Sequence, residues 1–469
     1  MDVALWWVRR DVRLADNQAL HAARQAAAQV LPVFVLDPRL TDAAARSPRL
    51  DFLVASLQAL DADLRARGSR LVLRQGEPAE QLAALAAETR AQAVFAEEDH
   101  TPYARARDAR VARQVPLHLV PGPTVQHPDS ALKADGTPYT VFGAYRRAWR
   151  ARPLPGAASL LPAPERIASP DGPPGARFPS GGEIAGFPAG EAEAWRRLQA
   201  FTQGAQAPVY RYDHGRDRLA EDGTSRLSPY LRFGALSARQ TVVAALQAAD
   251  AAPGAPARKA AEVWLDELIW REFYVAILHH FPRVQRESFR ANLRAIAWEN
   301  DARAFEAWCG GQTGYPVVDA AMRQLNARSW MHNRARMISA SFLTKDLLID
   351  WRWGEGYFMQ QLIDGDPAAN NGGWQWTAGT GTDAAPYFRV FNPVAQGERF
   401  DPEGEYVRRW VPELAGLPAR WIHRPWQAPD DVRRASGVRL GETYPPPIVD
   451  HAWARGRALA AYRAARGVR

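Results

Sequence analysis

The sequence predicts an α/β domain at the N-terminus followed by an all-helical domain. Over residues 1–125 short apolar runs alternate with amphipathic stretches, which is the pattern of a Rossmann-like, doubly wound parallel sheet. From about Glu191 onward apolar residues recur every three or four positions, and strand-like alternation does not return with any strength. A chain of 469 residues is also too long for one ordinary domain, so two or three are expected.

Five buried strands and four intervening helices are predicted in the first domain. The strand runs are short, apolar and bounded by turn residues. The predicted strands are Val3–Val8, Val30–Leu36, Arg70–Arg74, Gln92–Ala96 and Pro116–Val120. The predicted helices are Asn17–Ala28, Arg49–Arg67, Pro78–Thr89 and Tyr103–Arg113.

Polar residues follow these strands at their carboxyl ends, where sheets of this type bind ligands. They are Arg9, Arg10 and Asp11, then Asp37, Gln75, and finally Glu98, Asp99 and His100. The glycine patterns of a standard dinucleotide site and of a P-loop NTPase are both absent from the sequence, so neither function is supported. Ordinary capping residues of a sheet domain explain these polar positions equally well.

A stretch rich in Pro, Gly, Ala and Ser separates the two domains. We expect domains at 1–125 and 196–469, joined by a long connector at 126–195. The helical domain should contain an all-α arrangement without internal repeats. Its clearest helices are Glu262–Phe281, Gly314–Ala327, Trp330–Leu348 and Gly356–Ile363.

The composition indicates a folded, basic protein of a reducing compartment. Apolar residues make up 47% of the chain, which excludes global disorder, and the net charge of +8, mostly from Arg, favours a polyanionic partner. The single cysteine, Cys309, excludes an intramolecular disulfide and a Cys-rich metal site. No apolar run has the length of a membrane span, and Asp2 with the RRDVR run at 9–13 interrupts any signal peptide. We therefore expect a cytoplasmic protein.

The stretch Leu362–Phe391 is the strongest candidate for a functional site. It combines carboxylates, amides, indoles, an arginine and many glycines, and it lacks apolar periodicity between Ala369 and Ala384. It is predicted to be a loop whose backbone approaches a ligand closely. The alternative is an irregular crossing of the core, because Trp is more often a packing residue.

Three further segments carry candidate chemistry. In VWLDELIWREFY at 263–274, Glu267 shares one helical stripe with Trp264 and Trp270, and a carboxylate there must pair, for example with Arg271, or hold its proton. WMHNRARM at 330–337 supplies Arg336 as a partner for Asp364 or Asp366, Arg334 for phosphate, and His332 in a structural or solvent-facing role. GTSRLS at 223–228 suits either helix capping or diphosphate binding.

Five long motifs of the helical half, taken together, resemble the DNA photolyase/cryptochrome family. They are ELIWREF at 267–273, TGYPVVDAAMRQL at 313–325, WMHNRARM at 330–337, ASFLTKDLLIDW at 340–351 and DGDPAANNGGWQW at 364–376. The likeness extends from WWVRRDVRLADN at 6–17 to YPPPIVDH at 444–451 and is greatest to the class I cyclobutane pyrimidine dimer photolyases of microbes. It implies a carbon–carbon lyase that repairs such dimers in light, by electron transfer from photoexcited reduced FAD to the flipped-out dimer.

The resemblance assigns FAD to the helical domain. Arg336 and Asp364 are expected to form an ion pair beside the isoalloxazine, and Asn370 is expected at the flavin N5, where an amide favours repair and an aspartate would favour signalling. The residues implied to contact FAD are Tyr212, Thr224, Ser225, Arg226, Leu227, Ser228, Trp264, Glu267, Arg271, Trp330, Asn333, Arg336, Asp364, Asp366 and Asn370.

The resemblance also implies how UV-damaged DNA is bound and repaired. Glu267 would hydrogen-bond a carbonyl of the dimer, and Asn333 would line the same pocket. The residues implied to contact DNA or the dimer are Arg216, Trp270, Arg271, Arg334, Met337, Trp376 and Arg389. Trp374, Trp351 and Trp298 would form a photoreduction chain, although three scattered tryptophans are ordinarily core. The chemistry requires no metal, and the protein is expected to be a monomer that associates with the nucleoid when bound to DNA.

A second chromophore is expected in the N-terminal domain. Folate-binding members of the family carry Asn-Glu before R-A-R-D, whereas this chain has Tyr103 and Ala104 there. HTPYARARD at 100–108 is more similar to members that bind 8-hydroxy-deazaflavin or FMN. The residues implied to contact the antenna are Arg10, Asp37, Asp99 and Arg232.

Four other functions are disfavoured. A light-signalling cryptochrome is the main alternative, and Asn370, the Glu267/Trp270/Trp376 set and the expected lack of a C-terminal extension weigh against it. A (6-4) photolyase would need a histidine pair where Asn333 and Met337 stand. A dark flavin oxidoreductase would need a nicotinamide site, and a DNA-binding protein without catalysis would not explain the set of motifs.

Overall fold

A computed structural model of the chain describes residues 1–40, 47–179, 181–182 and 184–467. Two positions of the predicted connector, 180 and 183, lie outside the described residues. The chain divides into two compact units. The first comprises Met1–Arg211 and Ser225–Pro282, and the second comprises Tyr212–Thr224 and Arg283–Arg469.

A five-stranded parallel sheet forms the centre of the first unit. The strands are β1 Val3–Trp7, β2 Gln29–Leu36, β3 Val72–Gln75, β4 Ala93–Glu97 and β5 Leu117–Val120, in the order β3-β2-β1-β4-β5. In register, Leu5 of β1 lies opposite Leu31 of β2 and Val94 of β4. The doubly wound topology predicted from the sequence is therefore confirmed. The strand order reverses between β1 and β4, whose carboxyl ends flank the usual position of a ligand in such folds.

Helices cover both faces of this sheet, which explains why its central strand β1 is apolar and buried on both sides. Trp6 packs in one layer with residues of the helices that follow β1 and β2, including Leu20 and Leu57. Trp7 packs in the opposite layer, with residues such as Leu82 and Val111 of the next two helices. These alternating side chains make two hydrophobic cores from one short strand.

The helices begin close to the predicted positions because the sequence supplies N-caps. Asn17 accepts a hydrogen bond from the amide of Leu20, and Thr101 accepts one from that of Ala104. The first ten helices are α1 Gln18–Ala26, α2 Pro48–Arg65, α3 Pro78–Thr89, α4 Pro102–Val111, α5 Phe142–Arg150, α6 Glu191–Thr202, α7 Tyr212–Gly215, α8 Ser228–Phe233, α9 Ala238–Asp250 and α10 Ala255–His280.

Part of the predicted connector is folded against the first unit. Helix α5 lies within residues 126–195, and its Arg146 and Arg150 pair with Asp266 of α10 at 2.5 and 2.7 Å. Trp149 of the same helix is fully buried and donates to Glu272 at 2.6 Å. These contacts attach α5 to α10 despite the proline-rich sequence around it.

Helices are the only regular secondary structure in the part of the second unit that the structure describes. Its core contains large buried side chains such as Trp308, Met331, Ile338 and Tyr406. The remaining helices are α11 Ala302–Gly310, α12 Pro316–Arg328, α13 Asn333–Ser341, α14 Trp351–Gln361, α15 Pro367–Ala378, α16 Pro393–Phe400, α17 Glu405–Trp410, α18 Ala419–Ile422, α19 Asp430–Ala435 and α20 His451–Ala465. The prediction of an all-α second half is confirmed for these residues.

The prediction of a loop over the centre of Leu362–Phe391 is wrong, because α15 occupies it. Asp366 caps this helix by accepting from the amides of Ala368 and Ala369, and Gly379 ends it in the left-handed conformation. The polar side chains that hid the helix are buried with partners: Asn371 and Gln375 both donate to the carbonyl of Val284, at 3.0 and 2.9 Å. Because the buried face of α15 carries polar residues, its sequence lacks the apolar periodicity by which helices are predicted.

A single π-helical turn, Phe342–Asp346, follows α13 where the sequence predicts one continuous helix. It buries Lys345, whose ammonium donates to the carbonyls of Ala378 and Tyr387 at 2.9 and 3.4 Å and lies 3.6 Å from the ring of Tyr462. Such turns re-aim side chains within a helix. In the described part of the chain, no helix is both long enough and apolar enough to span a membrane.

Candidate active site

Helix α10 of the first unit presents the aromatic stripe that the sequence predicts. Trp264 is buried and meets Phe201 edge-on, with ring centroids 5.1 Å apart. Trp270, six residues further along, stacks on Phe142 of α5 with ring centroids 3.7 Å apart and an interplanar angle of 9°. Glu267 lies between these two tryptophans in the sequence of the helix and is half-buried. An indole has two faces, and the contact with Phe142 covers one face of Trp270.

The two charged residues that follow Trp270 hold the first unit together. Arg271 donates to the carbonyls of Pro123 and Leu231 at 2.7 and 3.4 Å. Glu272 is buried and accepts from the indole of Trp149 and from the amides of Val125 and Gln126. Burial raises the pKa of Glu272, although these donors favour its ionised form. Sequence reasoning missed Glu272, and its only signal was a carboxylate within an aromatic helix.

The segment Gly223–Ser228 joins the two units in sequence. Arg226 has a φ of 50°, a left-handed conformation that is uncommon outside glycine and that often marks functional sites. Thr224, Ser225 and Arg226 are half-buried, Leu227 is buried, and Ser228 is exposed at the start of α8.

An ion pair of Arg336 and Asp364 lies in the second unit, as the sequence analysis expected. Arg336 Nη2 is 2.8 Å from Asp364 Oδ2, and its Nε donates to the carbonyl of Met331 at 2.9 Å. The Asp364 side chain is only 3% exposed, and its Oδ1 accepts no hydrogen bond from any residue that the structure describes. Asp366 instead caps α15. Asp364 therefore has one oxygen available to a further donor.

Asn370 and Asn371 of α15 both bond to Glu355 of α14. The amide nitrogen of Asn370 donates to the carbonyl of Glu355, and that of Asn371 donates to Glu355 Oε1, each at 3.1 Å. Burial raises the pKa of Glu355 to about 7 against the opposing effect of Asn371. The orientation of the Asn370 amide is thus fixed by a neighbouring helix.

The three predicted electron-transfer tryptophans belong to one hydrophobic cluster. Trp374 and Trp351 are buried to 2% and 1% exposure, and the half-buried Trp298 packs against the same cluster. A Cβ at Gly354 would lie 2.0 Å from Trp374 Cη2, so α14 can only pass that indole with a glycine. Trp308, which sequence reasoning did not single out, has its ring 6.0 Å from that of Trp374.

The residues predicted to contact DNA in the second unit differ in their surroundings. Arg334 pairs with Asp217 at 2.6 Å and lies 4.4 Å from the ring of Phe400. Asn333 and Met337, one turn apart on α13, face each other at 4.0 Å. The other residues of this set are Arg216, against the buried Tyr212 at 5.4 Å, the exposed Arg389 and the half-buried Trp376. Trp330, which the resemblance assigns to FAD, is buried.

The residues predicted to bind the antenna lie at the carboxyl edge of the sheet. Arg10 pairs with Asp99 at 3.7 Å and donates to the carbonyl of Arg232 at 3.2 Å. Burial alone would raise the pKa of Asp99, but the charge of Arg10, the amide of Thr101 and further arginine charges together outweigh it and lower that pKa to about 2. Asp37 accepts a hydrogen bond from Tyr103, whose pKa rises to about 12 through burial and that bond.

Comparison with known proteins agrees with this arrangement. Residues 4–165 match the DNA photolyase family and residues 264–464 match the FAD binding domain of DNA photolyase. The chain is 42% identical to the deoxyribodipyrimidine photo-lyases of Salmonella typhimurium and Escherichia coli, with 99% of each chain covered in both cases.

Solved structures of the same kind align along the whole chain. A bacterial class III photolyase from Agrobacterium tumefaciens has a TM-score of 0.92 at 37% identity, covering 100% of this chain and 98% of that one. A Synechocystis cryptochrome has a TM-score of 0.89 at 29% identity, covering 98% and 99%. Full-length identity of this level, on a shared fold and with an FAD-binding domain, leads to one conclusion: the chain belongs to the DNA photolyase family.

Proposed function

We propose that the protein is a deoxyribodipyrimidine photo-lyase that repairs cyclobutane pyrimidine dimers in DNA in the light. The observation that carries this proposal is the end-to-end identity of 42% to relatives that bear this name. The cryptochrome-like alternative has weaker support, since the solved cryptochrome is 29% identical and Asn370 is an amide, which the resemblance associates with repair.

The donor set fits a flavin. Asp364 Oδ1 is a buried carboxylate oxygen whose neighbours within the described chain offer it no hydrogen, and a ring N–H of bound FAD would satisfy it. Arg336 supplies the positive charge that favours an anionic reduced ring. FAD, once bound and reduced, supplies the electron that light drives into the dimer.

The residues of this chain would then bind and orient the reactants. Asn370, held by the carbonyl of Glu355, would accept from the flavin N5–H through its amide oxygen without adding negative charge. Glu267 would hydrogen-bond the dimer, while Trp270 and Trp376 would stack on its planar bases. Asn333 and Met337 would contact the dimer as well.

Arginines would hold the backbone of the lesion strand. Arg216, Arg334 and Arg389 are the candidates in the second unit, and affinity should fall with salt as each phosphate contact releases counterions. The pairing of Arg334 with Asp217 means that phosphate must compete with a carboxylate for this guanidinium. We assign Arg271 a smaller part in phosphate binding because two backbone carbonyls already occupy its guanidinium.

The antenna chromophore we propose is 8-hydroxy-deazaflavin or FMN in place of a folate. Tyr103, where folate-binding relatives of the family carry Asn, is bonded to Asp37 at the carboxyl edge of the sheet. Arg10 and Asp99, which follow β1 and β4 and pair with each other, would supply polar groups for such a chromophore.

One preparation tests the whole proposal. The purified protein should absorb as a flavoprotein, release FAD on denaturation, and restore a dimer-containing oligonucleotide under blue light but not in the dark. The second chromophore extracted from the same sample identifies the antenna. A flavin-loaded, reduced protein that leaves the dimer intact in light would exclude photolyase activity and favour a sensor.

A further inference from the structure

Four of the ten histidines in the chain form one cluster in the first unit. The ring centroids of His100 and His127 are 4.9 Å apart, those of His100 and His279 are 5.5 Å apart, and those of His279 and His280 are 4.8 Å apart. Two carboxylates, Glu98 and Asp129, lie among these rings. None of the six has a part in the flavin or dimer chemistry proposed above.

Three separate segments bring these side chains together. Glu98 and His100 directly follow β4 at the carboxyl edge of the sheet. His127 and Asp129 flank the start of a short 3-10 turn, Pro128–Ser130, and the two remaining histidines end α10. The cluster therefore depends on the tertiary fold of the first unit and is unlike a run of charges on one surface helix.

The first half of the cluster has the spacing of metal ligands. One donor atom from each of Glu98, His100 and His127 lies within 4.8 Å of the others. Glu98 Oε2 is 3.2 Å from His127 Nε2, and Glu98 Oε1 is 3.6 Å from His100 Nδ1. Neighbouring donors of a tetrahedral zinc site are about 3.4 Å apart, given metal–ligand distances of about 2.1 Å.

In the second half of the cluster, one carboxylate oxygen of Asp129 faces the imidazole rings of His279 and His280. Asp129 Oδ1 is 3.1 Å from His279 Nε2 and 3.7 Å from His280 Nε2. The halves adjoin, since Asp129 Oδ2 is 3.7 Å from His127 Nδ1. Two histidines and a carboxylate form a recurrent ligand set for divalent transition metals.

His100 supplies an independent indication of a ligand. Its side chain is only 2% exposed, and Nδ1 has no hydrogen-bond partner among the residues that the structure describes. Hydrogen bonds between histidine and carboxylate explain His127 and His279, but they leave this buried nitrogen unsatisfied.

We propose that Glu98, His100 and His127, with the adjoining Asp129, His279 and His280, bind a divalent first-row transition metal ion, represented by Zn²⁺. Imidazole nitrogen favours Zn²⁺ over Mg²⁺ or Ca²⁺, which prefer oxygen ligands. The ion would join the carboxyl end of β4 to the C-terminal end of α10. Its role is to stabilise the first unit, independently of photorepair.

The test is a Zn²⁺ titration of the full-length, FAD-loaded protein after treatment with a chelator. A chromogenic zinc indicator competes for the metal, and the pairs His100→Ala/His127→Ala and His279→Ala/His280→Ala are compared with the parent. Loss of two ligands should weaken binding at least as much as loss of an outer-shell partner, about 10- to 100-fold. His21→Ala/His214→Ala, which removes two histidines outside the cluster, should bind Zn²⁺ like the parent.

Thermal unfolding gives a second readout. Zn²⁺ should raise the Tm of the parent and of the control, but not that of the cluster variants. If alanine pairs fail to fold, His100→Gln and His279→Gln keep the side-chain volume while removing the ligand. If the parent binds one equivalent of Zn²⁺ and either alanine pair removes it, the two halves share a single ion. If the parent binds two equivalents and each alanine pair removes one of them, each half binds its own ion. Equal Zn²⁺ affinity in the parent, cluster variants and control would overturn the proposal.

Discussion

The buried carboxylate of Asp364 pairs with the half-buried Arg336 through only one of its two oxygens. Oδ2 meets the guanidinium at 2.8 Å, whereas Oδ1 lacks any partner in the described chain. Buried ions tolerate such a position only when paired, so the arrangement favours the arrival of a further donor.

Breaking the pair of Arg336 and Asp364 should lower both the retention of FAD and the free energy of unfolding. Arg336→Ala leaves Asp364 buried without a counter-charge and should cost about 3 kcal/mol of folding free energy. It should also lower the FAD retained through purification, measured by absorbance per mole of protein. Arg323→Ala is the matched control, since Arg323 pairs with Glu413 at 2.7 Å in the same unit and should destabilise without loss of FAD. Full FAD occupancy in Arg336→Ala would contradict the assigned site.

Glu267 should act on repair and hardly on cofactor binding. Glu267→Ala removes a hydrogen bond to a dimer that carries charge during the reaction, which we expect to slow repair by roughly tenfold. FAD content should stay close to that of the parent. The measurement is single-turnover repair of a dimer-containing oligonucleotide by pre-reduced enzyme under blue light.

The exposed Glu262, also on α10, provides the control for that experiment. Glu262→Ala should repair at the parental rate. If Glu267→Ala does the same, the role assigned to Glu267 is wrong.

The sheet was predictable because each of its signals is local. Apolar runs, N-caps such as Asn17 and Thr101, and the turn residues between them lie within a few positions of the elements they define. Helix α15 was not predictable in this way, since the carbonyl of Val284, which accepts from both Asn371 and Gln375, lies 87 and 91 positions away from them. A helix whose buried face is polar has no periodic signal in its own sequence.

The candidate site likewise contains features that its sequence motifs predict and features that depend on contacts between distant segments. Opposite charges and a known motif sufficed to predict the pair of Arg336 and Asp364. The stack of Phe142 on Trp270 and the contact of Trp308 with Trp374 depend on packing between distant segments, and they appear only in the structure. The histidine cluster was hidden for that reason too, because Glu98 and His279 are separated by most of the first unit.

Trp374 should be needed for photoreduction but dispensable for repair. Its ring is buried in the core that also contains Trp351. Replacing Trp374 with Phe removes the indole that would donate an electron to an oxidised flavin. Trp374→Phe should therefore block light-driven reduction of the oxidised enzyme, followed by absorbance, while pre-reduced enzyme keeps near-parental repair. Trp426→Phe, which alters a tryptophan at the edge of the same core, should photoreduce normally. Equal loss of both activities would argue against a dedicated electron chain.

Asp217 should restrain the affinity of the protein for DNA. It pairs with Arg334 at 2.6 Å, so Asp217→Ala frees the guanidinium and removes a negative charge that repels phosphate. We expect tighter binding in Asp217→Ala. Arg334→Ala should weaken binding and reduce the slope of log affinity against log salt by about one.

Fluorescence anisotropy over a series of salt concentrations measures both effects. The exposed Arg303 supplies the control, and Arg303→Ala should leave the salt slope unchanged. Parental slopes in both Arg334→Ala and Arg303→Ala would show that Arg334 does not contact phosphate.

Lys345 should make the stability of the protein rise with pH. Burial lowers the pKa of Lys345 to about 7, whereas the unfolded chain holds this proton to about pH 10.4. Between these values the unfolded state binds more protons, so the free energy of unfolding increases with pH by at most about 1.4 kcal/mol per pH unit. The two carbonyls and the Tyr462 ring that meet the ammonium favour its charged form and reduce this slope. Lys345→Met lacks the titrating group, so this contribution to the pH dependence should be absent from the variant. Denaturant titration at pH 7, 8 and 9 should therefore show that the unfolding free energy of the parent, relative to that of Lys345→Met, increases with pH. A difference that is constant over this range would mean that Lys345 keeps its proton in the folded protein.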